Sequence, residues 1–136
     1  MHTFKRETIG QTLVITLEIQ SLDAKNAQHI TRRMAEAMLA GGRIIVDLGA
    51  LRYFDVSGFA AILNWVGDAP RRADVRLCSQ SGTIRALFEL LRAQAVVPLY
   101  RSCEEAMASF SRAEQRGVDV NSGRKEDRLL PEQRIA

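Results

Sequence analysis

The stretch Arg43-Ile-Ile-Val-Asp-Leu48 limits what this chain can become more than any other part of it. Ile44, Ile45 and Val46 are consecutive, apolar and β-branched. A strand with one wet face alternates apolar and polar side chains, whereas a strand that is apolar at both parities must be covered on both sides. The run therefore predicts an interior strand over about 43–48, in a sheet with helices packed against it. Its flanks supply such helices. Upstream, LDAKNAQHITRRMAEAMLAGG sets Ala27, Ile30, Met34 and Met38 at helical spacing, with Asp23 as a candidate N-cap and Gly41-Gly42 as the stop. Downstream, VSGFAAILNWVGDAP predicts a helix over about 57–67, with Phe59, Ile62, Leu63 and Val66 as its core stripe and Gly67 and Pro70 closing it.

The remaining elements extend this alternation. In RETIGQTLVITLEIQ, Leu13, Ile15, Leu17 and Ile19 recur with period two. The segment predicts strands over about 4–9 and 12–19, joined as an antiparallel hairpin through Gly10-Gln11. ADVRLCS predicts a strand over about 73–79. Ser81-Gly82 opens a third helix to about 92, with Ile84, Leu87, Phe88 and Leu91 on one face. A short strand follows near 96–100. A last helix starts near Ser102, with Glu104 and Glu105 in its first turn, where negative charge suits the helix dipole, and with Ala106, Met107 and Phe110 as its apolar face. The order β-β-α-β-α-β-α-β-α predicts an α/β fold: one domain over about 1–111, with a mixed sheet (hairpin first, then parallel strands) and about four helices. From 112 the apolar pattern stops and charges of both signs dominate, so 112–136 is expected to be a mobile tail.

Composition narrows the function. A chain of 136 residues fits one domain with its own core. Its net charge is only +3, and its basic pairs, Arg32-Arg33, Arg71-Arg72 and Arg124-Lys125, are scattered without interleaved aromatics. Direct nucleic-acid binding is not expected. No apolar run reaches the roughly 18–20 residues of a membrane span, and MHTFKRETIG lacks the apolar region of a signal peptide. Cys78 and Cys103 lie far apart in sequence and form no CxxC, which suggests two half-buried reduced thiols in a cytoplasmic protein. No metal-ligand spacing and no phosphate-cradling GxxxxGK[ST] or GxGxxG occurs, so no metal or cofactor is expected.

Catalysis has little to stand on. The histidines are His2 and His29. Spacing alone leaves a Ser57–His29–aspartate triad open, but the GxSxG nucleophile elbow is absent, so no enzyme is expected. The residue that needs an account is Ser57, in Arg52-Tyr-Phe-Asp-Val-Ser-Gly-Phe59. Ser57 or Asp55 can simply cap the second helix. The same geometry also tolerates a phosphate, because a helix N-terminus offers free N–H groups and a positive dipole end. A phosphoryl group on Ser57 would add about −1.5 to −2 charge beside Asp55 and Asp23. Trp65, off the Phe59/Ile62/Leu63/Val66 stripe, is either a half-exposed contact anchor or packed under a neighbouring loop.

Taken together, IIVDLGALRYFDVSGFAAIL resembles the signature of STAS domains, and of anti-sigma-factor antagonists in particular. Asp47-Leu48 matches the strand end, and Asp55, Ser57, Gly58 and Phe59 match the D-[ST]-S-G-[LF] that opens a helix. Upstream, Leu22, Asp23, Asn26 and Ala27 resemble the family's G-x-L-D-x-x-[NT]-A. The likeness covers about residues 5–111. It implies a binding module without catalytic residues. It further implies that Ser57 is the acceptor of a phosphoryl group from a serine-kinase anti-sigma factor of the GHKL-type ATPase fold, that the unphosphorylated form binds this kinase, and that a PP2C-type phosphatase resets the switch. On this resemblance the partner-binding face is expected to comprise Asp23, Asp55, Val56, Ser57, Gly58, Phe59 and Trp65, on a cytoplasmic monomer or weak dimer. Two positions depart from the family. Val56 stands where serine or threonine is common, and Gln20 replaces the glycine of G-x-L-D. Relatives without phosphorylation exist, among them a subunit supporting a lipid-transport ATPase and stressosome scaffold proteins, and they form the alternative reading.

Overall fold

The computed structural model describes residues 3–67 and 73–121, with 113–121 described by backbone alone. Strands β1 (Phe4–Ile9) and β2 (Thr12–Leu17) form the expected hairpin, antiparallel with Phe4 opposite Leu17 and Ile9 opposite Thr12. The Gly10-Gln11 turn is two residues long, and Gly10 sits in the left-handed region at φ 61°. The predicted interior strand is β4 (Gly42–Asp47). It pairs in parallel with β2 on one side and with β6 (Ala73–Cys78) on the other. Ile44, Ile45 and Val46 are all fully buried. Ile44 and Val46 face the helix-bearing core while Ile45 points to the opposite side, as a strand apolar at both parities requires. β7 (Leu99–Tyr100) completes a five-stranded sheet in the order β1-β2-β4-β6-β7. After the hairpin each new strand is added parallel to its predecessor, and a helix makes each crossover.

Those helices are α1 (Ala27–Ala37), α2 (Val56–Gly67) and α3 (Gly82–Leu90), with a 3-10 turn over Ala93–Ala95. Ile30 and Met34 of α1, Ile62 of α2, and Ile84 and Phe88 of α3 are fully buried, in one cluster with Ile15, Leu17, Ile44, Val46 and Leu77 of the sheet. Burying side chains of this size contributes about 1.5–3 kcal/mol each. α3 begins as the sequence predicts: Ser81 is its N-cap, and its Oγ accepts from Ile84 N–H at 3.3 Å. Leu91, placed on the core face by its spacing, is instead exposed, because the helix ends at Leu90 and Arg92 turns left-handed.

Three expectations need correction. The strand read over 12–19 stops at Leu17, and the chain re-forms a two-residue strand, β3 (Ser21–Leu22), which pairs in parallel with another, β5 (Tyr53–Phe54). The strand placed at 96–100 is reduced to Leu99–Tyr100. Asp23 does not cap α1. Asn26 is the N-cap residue, and its side chain reaches back instead, Oδ1 accepting from Asp23 N–H at 2.9 Å and Nδ2 donating to Ser21 O at 2.9 Å.

The chain divides into two units, residues 1–106 and 107–136. The first carries both sheets, α1 to α3 and the opening turn of α4 (Cys103–Asn121). The described part of the second is the continuation of that helix to Asn121. α4 starts on a Ser102 cap: Glu105 N–H donates to Ser102 Oγ at 3.1 Å, and Glu105 Oε1 reaches back one residue further to accept from Arg101 N–H at 3.3 Å. Of the tail expected over 112–136, residues 122–136 lie outside the described residues.

Candidate functional site

The small β3–β5 sheet builds the site. Its register sets Leu22 against Phe54, so the next residues on each strand, Asp23 and Asp55, leave it side by side. Hydrogen bonds then lace the two loops together. Asp55 N–H donates to Leu22 O at 3.3 Å, and Ala24 N–H donates to Asp55 Oδ2 at 3.3 Å. Asp23 Oδ1 accepts from Lys25 N–H at 3.0 Å, closing its own loop.

Of the two candidate caps for α2, the structure selects Asp55. Its carbonyl accepts the first helical bond from Phe59 N–H at 2.8 Å, and its Oδ1 accepts from Gly58 N–H at 2.9 Å. Ser57 is thereby released from capping. It is exposed, and its side chain has no hydrogen-bond partner among the described residues. Val56 precedes it with 84% of its surface exposed, and Tyr53 is 52% exposed on the strand before. Ser57 also lines a shallow groove between α1 and α2, with Ala27, Gln28, Thr31, Ala60 and Asn64. His29 is exposed on α1 and is not among the residues lining that groove.

The other predicted residues lie elsewhere. Gly58 is buried, because α2 crosses β3 so closely that only a hydrogen fits between them. Phe59 turns inward: its ring stacks on Phe54 at 5.7 Å and meets Phe88 edge-on at 6.2 Å. The half-exposed Trp65 considered from the sequence is a correction. Its side chain is 3% exposed and its indole Nε1 donates to Thr31 Oγ1 at 3.0 Å, which ties α2 to α1. Buried Ala61 and Ile62 share its face, so the inner stripe of α2 is Gly58, Ala61, Ile62 and Trp65, rotated from the one predicted. The reason is the small residues. Gly58 and Ala61 read as neutral in an apolar pattern, yet they let the helix approach closely.

A second cluster was not anticipated. Asp47 and Cys78 end neighbouring parallel strands as register partners, and Cys103 opens α4 beside them. The thiols, distant in sequence, stand 3.4 Å apart, and Cys103 Sγ is 3.5 Å from Asp47 Oδ2. Burial, then the Asp47 carboxylate, pushes the Cys78 thiol far above its ordinary value. Burial raises Cys103 as well. The spacing 47/78/103 matches no linear motif, and only the pairing of β4 with β6 makes the first two neighbours. No helix among the described residues is long and apolar enough to cross a membrane.

Comparison with known proteins follows this architecture. The model of the STAS domain family matches residues 3–106. No curated protein sequence matches the chain significantly. Among solved structures, an anti-sigma factor antagonist from Mycobacterium paratuberculosis superposes with a TM-score of 0.70 at 14% identity, covering 79% of this chain and 92% of that one. The anti-sigma factor antagonist SpoIIAA is 23% identical. Its unphosphorylated form superposes with a TM-score of 0.60, over 81% of this chain and 96% of that one. Its phosphorylated form, described as a Bacillus cell fate determinant, gives 0.54 over 79% and 98%. A chain of the Acinetobacter MlaFEDB complex gives a TM-score of 0.53 at 16% identity, over 70% of this chain and 98% of that one.

Proposed function

The chain belongs to the STAS domain family, and from that premise we propose that it is a partner-switching module controlled by phosphorylation of Ser57. The observation that carries this reading is the position of Ser57 itself. It lies in the first turn of α2, exposed, without a hydrogen-bond partner among the described residues, next to an exposed valine and above a groove. A structural serine at a helix start would be expected to cap it, and here Asp55 does that. The Val56 and Ser57 N–H groups belong to the first helical turn and have no intrahelical acceptor, so they suit a phosphate.

In the unphosphorylated form, Asp23, Asp55, Val56 and Ser57 form the docking face for a serine-kinase anti-sigma factor with a GHKL-type ATPase fold. Gly58 and Phe59 hold that face from below. Phosphorylation adds about −1.5 to −2 charge and bulk next to Asp55 and Asp23, and releases the partner without refolding the domain. A PP2C-type phosphatase restores the binding form. The output is transcription or a related signalling pathway such as biofilm formation or secretion, in the cytoplasm. Likeness to SpoIIAA in both phosphorylation states supports the reading. The test is affinity for the cognate kinase-type anti-sigma factor. Ser57→Ala should bind like wild type, and Ser57→Asp at least about tenfold more weakly, a difference of about 1.4 kcal/mol. Equal affinity for all three proteins would sink the switch.

A second reading has one observation in its favour, the likeness to a chain of the MlaFEDB complex. On that reading the exposed Val56 is a permanent apolar contact in a lipid-transport assembly or a stressosome-type scaffold. It requires stable co-purification with a large complex and no phosphate on Ser57 in protein isolated from its host, so intact mass separates the two readings.

A further inference from the structure

The Asp47, Cys78 and Cys103 side chains converge in a way that partner switching does not use. We propose that they form a binding site for a thiophilic divalent cation of the zinc type. Three potential ligand atoms, two sulfurs and one carboxylate oxygen, lie within 4.8 Å of one another. For tetrahedral zinc, ligand bonds of about 2.3 Å to sulfur and about 2.1 Å to oxygen place neighbouring sulfurs about 3.8 Å apart, and sulfur and oxygen about 3.6 Å apart. Two of the three separations here, 3.4 Å between the sulfurs and 3.5 Å from Cys103 Sγ to Asp47 Oδ2, lie within a few tenths of an ångström of those values, and the third, from Asp47 to Cys78, is within 4.8 Å, so a cation would draw these two side chains together. A disulfide would require the same sulfurs to close to about 2.05 Å, a much larger movement.

The surroundings match the ligand set. Asp47 Oδ1 accepts from Gly49 N–H at 2.8 Å, which fixes the carboxylate and leaves Oδ2 turned to the thiols. Such outer hydrogen bonds hold metal ligands in orientation. Asp47 and Cys78 are anchored on paired strands and Cys103 on the first residue of a helix, so the ligand frame is rigid. A cavity of about 350 Å³ opens onto all three and also onto Glu104. It gives the ion an entry path and leaves the fourth coordination position to water. Two thiolates with one carboxylate favour zinc and its softer neighbours over magnesium or calcium. Cation entry displaces the two thiol protons to solvent, and no electron transfer is involved.

The full-length chain, stripped with chelator and kept reduced by a non-coordinating phosphine, tests this with Co²⁺ as the spectroscopic stand-in for zinc. One equivalent of Co²⁺ should saturate a thiolate-to-cobalt charge-transfer band together with the visible bands of tetrahedral cobalt. Zn²⁺ should bleach both, and excess Mg²⁺ should not. Cys103→Ser and Asp47→Asn should each weaken binding by at least about tenfold. Cys103 is only half-buried, and an asparagine oxygen can still accept from Gly49 N–H, so both variants retain the fold, which circular dichroism checks. Zn²⁺ should raise the Tm of wild type and of neither variant. Absence of the charge-transfer band in excess Co²⁺, or undiminished binding in Cys103→Ser, overturns the proposal.

Discussion

A methyl group on Gly58 would lie 2.0 Å from the Leu22 carbonyl oxygen and 2.9 Å from Phe54 Cβ. Both are parts of the β3–β5 pair, and the first is backbone, so neither can rotate away. Gly58→Ala should therefore destabilise the protein by about 2–3 kcal/mol, read as a lower urea midpoint. Ser57→Ala, one residue earlier and exposed, should stay within about 0.5 kcal/mol of wild type. A Gly58→Ala variant as stable as Ser57→Ala would refute the close approach. This contrast gives D-V-S-G a physical meaning. Asp55 caps and Gly58 permits the crossing, while Ser57 performs neither task, as the proposed phosphorylation site requires. The sequence made this position legible, but it could not choose Asp55 over Ser57 as the cap, because either side chain reaches a first-turn N–H from its place in the chain.

At the scale of elements, α1 and α2 are joined by the bond from Trp65 Nε1 to Thr31 Oγ1. Thr31→Val removes the acceptor and leaves a buried indole N–H unpaired, which should cost about 1–3 kcal/mol. Adding Trp65→Phe to Thr31→Val should cost less than Trp65→Phe costs in wild type, because the stranded donor is gone. Strict additivity in this double-mutant cycle would show that the bond contributes nothing. The pair also shows where periodicity misleads. An amphipathic reading weights large apolar side chains, so it centred the stripe on Phe59, Ile62, Leu63 and Val66, of which Phe59, Leu63 and Val66 pack against the core only partly buried, and left Trp65 at the margin. Packing weights fit, and the helix turned its smallest residues to the sheet. Two-residue strands such as β3 and β5 carry no period at all, so the framework of the candidate site was invisible in sequence, while the six-residue strands β1, β2, β4 and β6 of the main sheet were plain. Asp23 fails as the α1 cap because Asn26 is nearer the helix and ties the loop to Ser21.

For the whole molecule, the two sheets differ in how firmly they are held. β4 is bonded on both sides, by β2 and by β6, and its three central residues are fully buried. β3 and β5 pair with no other strand among the described residues, over two register pairs; Leu22 and Phe54 are buried in the core, but Tyr53 is exposed and Ser21 half-buried. Protection from hydrogen exchange follows such differences, since loop amides held by few and exposed hydrogen bonds open without global unfolding. The amides of Ile44–Val46 should exchange only through global unfolding, with free energies that fall in parallel with the denaturant midpoint when the core is weakened. The amides of Lys25, Asp55 and Gly58, held by side-chain carboxylates or by the short pair, should exchange through local opening at much lower free energy. Exchange measured by mass spectrometry or NMR across a urea series separates the two classes, and equal, denaturant-dependent protection at both would contradict the division. The distinction bears on the proposed switch. The proposed docking face, mounted on this short pair, could then rearrange around a partner, or around a phosphate on Ser57, while the five-stranded sheet stays intact. A switch of this kind needs the binding loops to be cheap to move and the core to be costly, and the sheet order β1-β2-β4-β6-β7 separates the two by leaving β3 and β5 outside it.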